Sequence, residues 1–202
     1  MENRTSVIDR QTSSVIDRRT YLATAGVATA GIVGVAGCLG GSETGTLATQ
    51  VTDQPGDIAD FESCIVTVVG MWLGPEGAEA GDEEDEEPAD REYYEYDEPQ
   101  EADLVELQGE NTELVDEREL DVSTYEFLQL DTDGVEATLE DGSSATVEVP
   151  GQAPLTFNEQ FEVRENTRTV FTADFTPVNR GGTGRYVLQP VPEGITVSYD
   201  EE

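Results

Sequence analysis

The chain has 202 residues, of which 45 are acidic and 10 basic, and its formal net charge is −35 at pH 7. Every basic residue is Arg, and the sequence contains neither Lys nor His. This balance excludes a nucleic-acid partner, because phosphate binding needs a stripe of basic side chains. Molar salt screens self-repulsion of this size, since the Debye length there falls to about 3 Å. The composition therefore predicts a protein adapted to high salt.

The N-terminal residues 1–37 are predicted to be a cleaved export signal. Arg18 and Arg19 precede an apolar segment, residues 23–36, which is shorter than the roughly 20 residues of a membrane span. Small residues then lead to Cys38. The arrangement resembles a twin-arginine lipoprotein signal, which implies export, cleavage before Cys38 and lipid attachment to it. The expected location is the outer face of the cytoplasmic membrane, in the cell envelope, with the lipid on Cys38 as the membrane anchor.

The rest of the chain is predicted to be a tether, residues 38–45, followed by one β-domain over residues 46–202. Short runs of β-branched and aromatic residues, separated by Gly, Pro, Asp and Asn, predict strands. The predicted strands cover residues 47–51, 63–73, 93–96, 125–130, 135–139, 145–149, 155–163, 169–175, 186–188 and 195–199. Asp141 and Gly142 predict a hairpin turn. Many short strands favour a β-sandwich, with a closed barrel as the alternative.

A strongly acidic segment at about residues 76–91 interrupts this pattern, and residues 82–87 are all Asp or Glu. A run of like charges repels itself and stays solvated, so this segment is predicted to be a disordered loop between two strands. The alternative is a surface that binds calcium or magnesium weakly through carboxylate oxygens. No Asp-x-Asp-x-Asp-Gly loop with a closing Glu accompanies it.

Several short segments occur in a characteristic order along the mature chain. They are residues 45–51 leading into Asp53-Gln54-Pro55 and Asp57, the strand at 66–73, residues 103–107, 125–130, 173–175 and 184–191. Together they resemble the domain of unknown function 4382, found in haloarchaeal and bacterial envelope lipoproteins. The resemblance implies a β-sandwich similar to transthyretin-like or carboxypeptidase-regulatory-like domains, and it implies no particular activity.

Catalysis has few residue types available. Without His, the usual general base, most zinc and copper sites and the Ser-His-Asp arrangement are excluded. Cys64 lies in an apolar run, where a thiol is a small core residue rather than a nucleophile. A carboxylate pair acting as acid and base, as in glycosidases, is what remains. The carboxylates considered for such a pair, or for weakly bound calcium, are Asp53, Asp57, Asp131 and Asp174, although roles in strand-end turns explain them more simply. No catalytic residue and no cofactor are assigned.

The preferred function is that of a non-catalytic envelope module, which binds a surface protein, glycan or peptide. One alternative is the solute-binding lipoprotein of a transporter, but a hinged two-domain clamp would be hard to build from this length. The other is a carboxylate-dependent hydrolase. Trp72 and Tyr94 are candidate contact residues, although Trp72 is expected in the core because it lies near the end of the longest apolar run.

Overall fold

The computed structural model describes residues 43–54, 56–80, 90–150, 154–181 and 184–201, and these residues form eleven β-strands. The strands are β1 (Thr44–Thr52), β2 (Phe61–Pro75), β3 (Glu92–Asp103), β4 (Glu113–Asp121), β5 (Ser123–Leu139), β6 (Ser144–Glu148), β7 (Leu155–Phe157), β8 (Phe161–Val163), β9 (Thr167–Asn179), β10 (Arg185–Pro190) and β11 (Thr196–Glu201). Two short 3-10 turns, Asp57–Asp60 and Pro192–Gly194, complete the described elements. The all-β prediction is confirmed.

All eleven strands are connected by pairing into one sheet. Its main path runs in the order β3, β2, β5, β6, β10, β9, β1 and β4, while β7 and β8 pair with β5 and β11 pairs with β9. The two ends of the path, β3 and β4, contact each other without forming a ladder between the described residues. The sheet is thus nearly closed, as in a barrel, and a separation into the two sheets of a sandwich is not confirmed.

The sheet bends along two long strands, β5 and β9, because the two halves of each strand pair with different neighbours. The first half of β5 pairs with β7 and β8, and its second half pairs with β6. Similarly, β9 pairs with β1 and β11 along its first half and with β10 along its second. Gly134 lies within β5 at φ 118°, a conformation that side chains disfavour. This glycine lets one continuous strand replace the two that the sequence predicted for residues 125–139.

The core is formed by the inward faces of these strands and is rich in aromatic rings. Five phenylalanines are at most 1 % exposed, and they are Phe61, Phe157, Phe161, Phe171 and Phe175. Phe171 lies 5.0 Å from Phe161 and 6.5 Å from Phe157, measured between ring centroids. Such ring pairs add stabilisation beyond the apolar area they bury.

Strand β2 is internal, because β3 and β5 flank it on both sides. The prediction that Trp72 lies in the core was wrong. Met71 and Leu73 are fully buried, and the alternation of side chains along the strand turns Trp72 to the opposite face. There the Arg91 guanidinium lies 4.3 Å from the Trp72 ring centroid and Tyr93 covers the ring at 4.5 Å.

Other boundaries differ from those predicted. The run at 155–163 forms two short strands, β7 and β8, rather than one. Strand β4 was not predicted at all. The hairpin across Asp141 and Gly142 is confirmed, since β5 and β6 pair antiparallel on either side of it. The acidic segment connects β2 to β3, but residues 81–89 lie outside the described residues, as do the predicted signal and Cys38.

No helix within the described ranges has the length and apolar character needed to span a bilayer.

Candidate functional site

Two of the four carboxylates selected from the sequence meet at the end of β1. Asp53 directly follows this strand, and its neighbour Thr52 pairs with Asp174 in the parallel ladder between β1 and β9. The backbone N–H of Gln54 then donates a hydrogen bond of 2.9 Å to Asp174 Oδ1. The Asp53 amide donates to the Leu107 carbonyl at 3.3 Å. Backbone pairing therefore holds both aspartates in fixed positions.

Both carboxylates are completely buried, at 0 % exposure, and their hydrogen bonding is incomplete. Within the described part of the chain, neither oxygen of Asp53 has a hydrogen bond of ordinary geometry, and neither has Asp174 Oδ2. Burial raises the pKa of Asp53 to about 7; a nearby Thr176 hydroxyl opposes this rise and the Asp174 charge adds to it. Burial also raises the pKa of Asp174 to about 6, against the hydrogen bond from Gln54. Because ionised carboxylates are costly to bury without partners, this pair requires an explanation.

The Thr176 side chain belongs to the same polar cluster. Asp174 and Thr176 are two residues apart on β9 and so point to the same face of the sheet, opposite Phe175. Thr176 is 8 % exposed, and its hydroxyl has no hydrogen bond of ordinary geometry, although it lies near enough to Asp53 to lower that pKa. We name Asp53, Asp174 and Thr176 the buried polar cluster.

Two glycines bring backbone against this cluster. A Cβ placed on Gly194 would lie 1.6 Å from Asp174 Oδ2, and a Cβ on Gly56 would lie 2.5 Å from Thr176 Oγ1. Both distances are far below van der Waals contact, so only glycine permits the observed approach. The turn Pro192–Gly194 thereby covers the carboxylate from one side, and the segment after β1 covers the hydroxyl from another.

The other two carboxylates selected from the sequence, Asp57 and Asp131, form hydrogen bonds with residues outside this cluster. Asp57 begins the turn after β1, and its carboxylate accepts a 2.7 Å hydrogen bond from the backbone N–H of Asn179. Asp131 lies on β5 and accepts a 2.8 Å hydrogen bond from the Tyr93 hydroxyl. A Cβ on Gly70 would lie 2.5 Å from that hydroxyl, so a glycine in β2 lets the tyrosine cross to β5. Both carboxylates have structural partners.

Within the described ranges, no group of three or more Asp, Glu, Cys or His side chains is placed to hold a metal ion. Cys64 is fully buried in the core, near the polar cluster. Burial raises the pKa of its thiol to about 12, and the charges of Asp103 and Asp53 add to the rise. A thiol with this pKa remains protonated at neutral pH, which disfavours its use as a nucleophile.

A second feature is the line along which the sheet fails to close. We name the facing edges of β3 and β4, with the residues directly after β4, the seam. Three recesses follow one another along it, and the middle one has a volume of about 490 Å³. Carboxylates line that recess, namely Glu95, Asp97, Glu98, Asp116 and Glu117. The seam is thus an acidic cleft bordered by strand edges.

Aromatic and aliphatic side chains also lie along the seam. The large hydrophobic residues with the greatest exposure in the described part of the chain are Tyr93 at 40 %, Leu114 at 43 % and Val122 at 42 %. Tyr93 and Val122 line one of the recesses, and Leu114 lies on β4 between residues that line the other two. Arg118 of β4 spans it, because its guanidinium lies 4.9 Å from the Tyr94 ring centroid and 5.5 Å from that of Tyr96. The seam therefore combines acidic, apolar and aromatic surface.

Comparison with protein families gives one match. The model of the Domain of unknown function (DUF4382) matches residues 44–190, which is well over half of the chain. The chain belongs to this family. No curated protein and no solved structure matches significantly.

The DUF4382 match includes most of both features. It covers β1 through β10, and so it contains Asp53, Asp174 and Thr176 together with the whole seam. It ends at Pro190, so Gly194 and β11 lie beyond it. The turn that covers Asp174 is therefore supplied by sequence outside the matched region.

Sequence reasoning selected Asp53 and Asp174 individually but missed Thr176 and the seam. Thr176 lies one residue past the predicted strand at 169–175, and extending the alternation of that strand would have placed it beside Asp174. The seam was missed because β4 was not recognised. Its sequence, ELVDERELD, is mostly charged, which ordinarily indicates a solvated segment.

Proposed function

We propose that this DUF4382 protein is an exported, lipid-anchored protein of the cell envelope, whose β-domain binds an extended segment of a partner protein along the seam. The observation that carries the binding role is the pair of strand edges, β3 and β4, that face each other without a ladder. An edge strand offers unpaired N–H and C=O groups to an added strand. The role is binding rather than catalysis, since the sequence contains no His and the closely placed carboxylates are buried.

Charged side chains at a sheet edge have a simpler explanation, because they commonly prevent edge-to-edge aggregation. The acidic residues of the seam fit that explanation, but Leu114 and Val122 do not. Exposed apolar side chains beside an unpaired edge favour docking instead. The acidic lining selects for a partner segment that carries basic residues alternating with apolar ones. At high salt the main-chain hydrogen bonds and apolar contacts would supply most of the affinity. Only charge pairs in direct contact would add to it, because attraction between separated charges is screened.

A synthetic peptide of alternating Arg and Val residues is a direct probe of the seam. We expect it to bind the full-length chain, and we expect the double variant Glu95→Gln with Glu98→Gln to weaken binding about tenfold, or about 1.4 kcal/mol. The matched control is Glu136→Gln with Glu140→Gln, which removes the same charge from exposed positions on and beside β5. Fluorescence anisotropy in molar NaCl measures both.

Two outcomes would contradict binding at the seam. If both double variants weaken binding equally, the peptide is held by diffuse charge alone. If the peptide still binds after methylation of every second backbone nitrogen, no strand is added, because strand addition requires those N–H groups.

The anchor is proposed from residues 1–38, and its support is the small-residue box that ends at Cys38. We expect wild-type protein to partition into membranes and the Cys38→Ser variant to appear in the soluble fraction. Fractionation of cells followed by immunoblotting measures this, with Cys64→Ser as the control because that thiol is buried in the core. Membrane retention of Cys38→Ser equal to wild type would contradict the lipid anchor.

The composition supports a habitat of high salt as part of this proposal. A net charge of −35 on 202 residues opposes compaction in dilute buffer.

A further inference from the structure

We propose that the buried polar cluster of Asp53, Asp174 and Thr176 is a binding site for a single calcium ion. The cluster is separate from the seam, so calcium binding there is independent of the proposed function. Incomplete hydrogen bonding of its oxygens, its burial and the close approach of backbone at two glycines support the site.

The cluster holds several oxygen atoms whose hydrogen bonding is incomplete. Among the described residues, neither oxygen of Asp53 nor Oδ2 of Asp174 has a hydrogen bond of ordinary geometry, and neither has the Thr176 hydroxyl, which lies close to Asp53. A buried acceptor without a donor costs about 1–3 kcal/mol, and more when it is charged. One proton shared between the carboxylates would satisfy two oxygens at most. A cation contacts several oxygens at once, so it accounts for more of the cluster than a proton does.

The charge of the cluster also fits a divalent cation. Two ionised carboxylates in a fully buried position carry two negative charges, and a divalent cation balances both. The hydroxyl oxygen of Thr176 adds a neutral ligand of the hard type that calcium prefers. Backbone carbonyls are common further ligands of calcium, and backbone of the two covering segments is brought close by Gly56 and Gly194.

Calcium and magnesium differ in the coordination that they require. Magnesium requires near-octahedral geometry and retains several of its waters, whereas calcium accepts irregular arrangements of six to eight oxygens. The cluster is buried, and a Cβ at either glycine would already collide with it. Because backbone covers the cluster closely, the site favours calcium, which gives up its bound water more readily than magnesium does.

The location gives the ion a structural role. Asp53 follows β1, both Asp174 and Thr176 lie on β9, and Gly194 precedes β11. A cation there would connect three segments that are distant in sequence and lie at one end of the parallel pair β1 and β9.

The test is a calcium titration of the full 202-residue chain after treatment with a chelator. Molar NaCl is kept throughout, so that calcium cannot act merely by screening the surface carboxylates. We expect the midpoint of thermal unfolding to rise with the logarithm of free calcium above the dissociation constant. Equilibrium dialysis with radioactive calcium should give one ion per chain under the same conditions, and magnesium at equal concentration should give neither effect.

Variants locate the ion. We expect Asp174→Asn to lower calcium affinity at least tenfold, while Asp133→Asn, an exposed carboxylate on β5, leaves it unchanged. Thr176→Val removes one hydroxyl at nearly constant shape, so it should remain folded even if Asp174→Asn does not. It should still bind calcium more weakly than wild type does.

Three results would overturn the proposal. The first is a calcium effect no larger than that of magnesium. The second is an equal loss of affinity in Asp174→Asn and Asp133→Asn, which would assign calcium to the surface. The third is wild-type calcium affinity in Thr176→Val.

Discussion

The Asp53→Asn variant is expected to be more stable than wild type at about pH 8 in chelator-treated buffer, and the difference is expected to disappear below about pH 4. The reason is the carboxylate of Asp53, whose burial raises its pKa from 3.8 to about 7 and which has no hydrogen bond of ordinary geometry among the described residues. Asparagine has a similar shape but carries no charge. A shift of this size corresponds to on the order of 4 kcal/mol, or roughly 10 °C in the unfolding midpoint.

The direction of the pH dependence follows from the protons bound in each state. Between about pH 4 and pH 7 the folded chain keeps the Asp53 proton and the unfolded chain has lost it. Stability of the wild type therefore falls as the pH rises through this window, and it levels off above the folded pKa. Asp174, whose pKa is raised to about 6, adds a contribution of the same sign. Most proteins behave in the opposite way, because their carboxylates are stabilised on folding.

Thermal unfolding of both proteins, at a series of pH values in molar NaCl, measures the effect. The difference between wild type and Asp53→Asn isolates the carboxylate, because both share the remaining surface charge. Parallel curves for the two proteins across the whole pH range would contradict the raised pKa. With saturating calcium the order should reverse, since wild type gains the ion and the variant loses a ligand.

The Phe171→Ala variant is expected to lose about 3–5 kcal/mol of unfolding free energy, the usual cost of deleting a buried aromatic ring. Phe171 is 0 % exposed and packs against Phe157 and Phe161 in the core. It lies on β9 where that strand pairs on both sides, opposite Thr49 of β1 and Val197 of β11. The cavity would therefore open in a part of the sheet that has little freedom to collapse.

Urea unfolding at constant molar NaCl measures this loss. Urea is uncharged, whereas guanidinium chloride would itself change the screening of the acidic surface. The control is Leu114→Ala, which shortens a side chain that is 43 % exposed and should change stability by less than about 0.5 kcal/mol. A loss below about 1 kcal/mol in Phe171→Ala would show that this ring does not belong to a packed core.

The class of the fold could be predicted because it depends on local sequence. The alternation in β2 and β9 places every second side chain on one face, whatever the partner strand. The turn at Asp141 and Gly142 also depends only on local backbone preference, and Gly142 adopts φ 78° there.

Strand β4 shows where such reasoning fails. Its residues are mostly charged, and in isolation they indicate a solvated segment. They form a strand because β1 offers an edge, and the two pair over nearly their whole length. An edge strand needs few apolar residues, since one of its sides faces solvent. The seam, which depends on β4, could not be predicted for the same reason.

The buried polar cluster depends partly on local sequence and partly on tertiary structure. The sequence alone determined that Asp53 ends a strand and that Asp174 lies within one, because each follows from the pattern of its nearest neighbours. Only the tertiary structure decided that they meet. Gln54 and Asp174 are 120 residues apart in the chain, and the parallel pairing of β1 with β9 brings them within hydrogen-bond distance. Pairing of distant strands depends on how the whole core packs, and no local pattern in the chain records that choice.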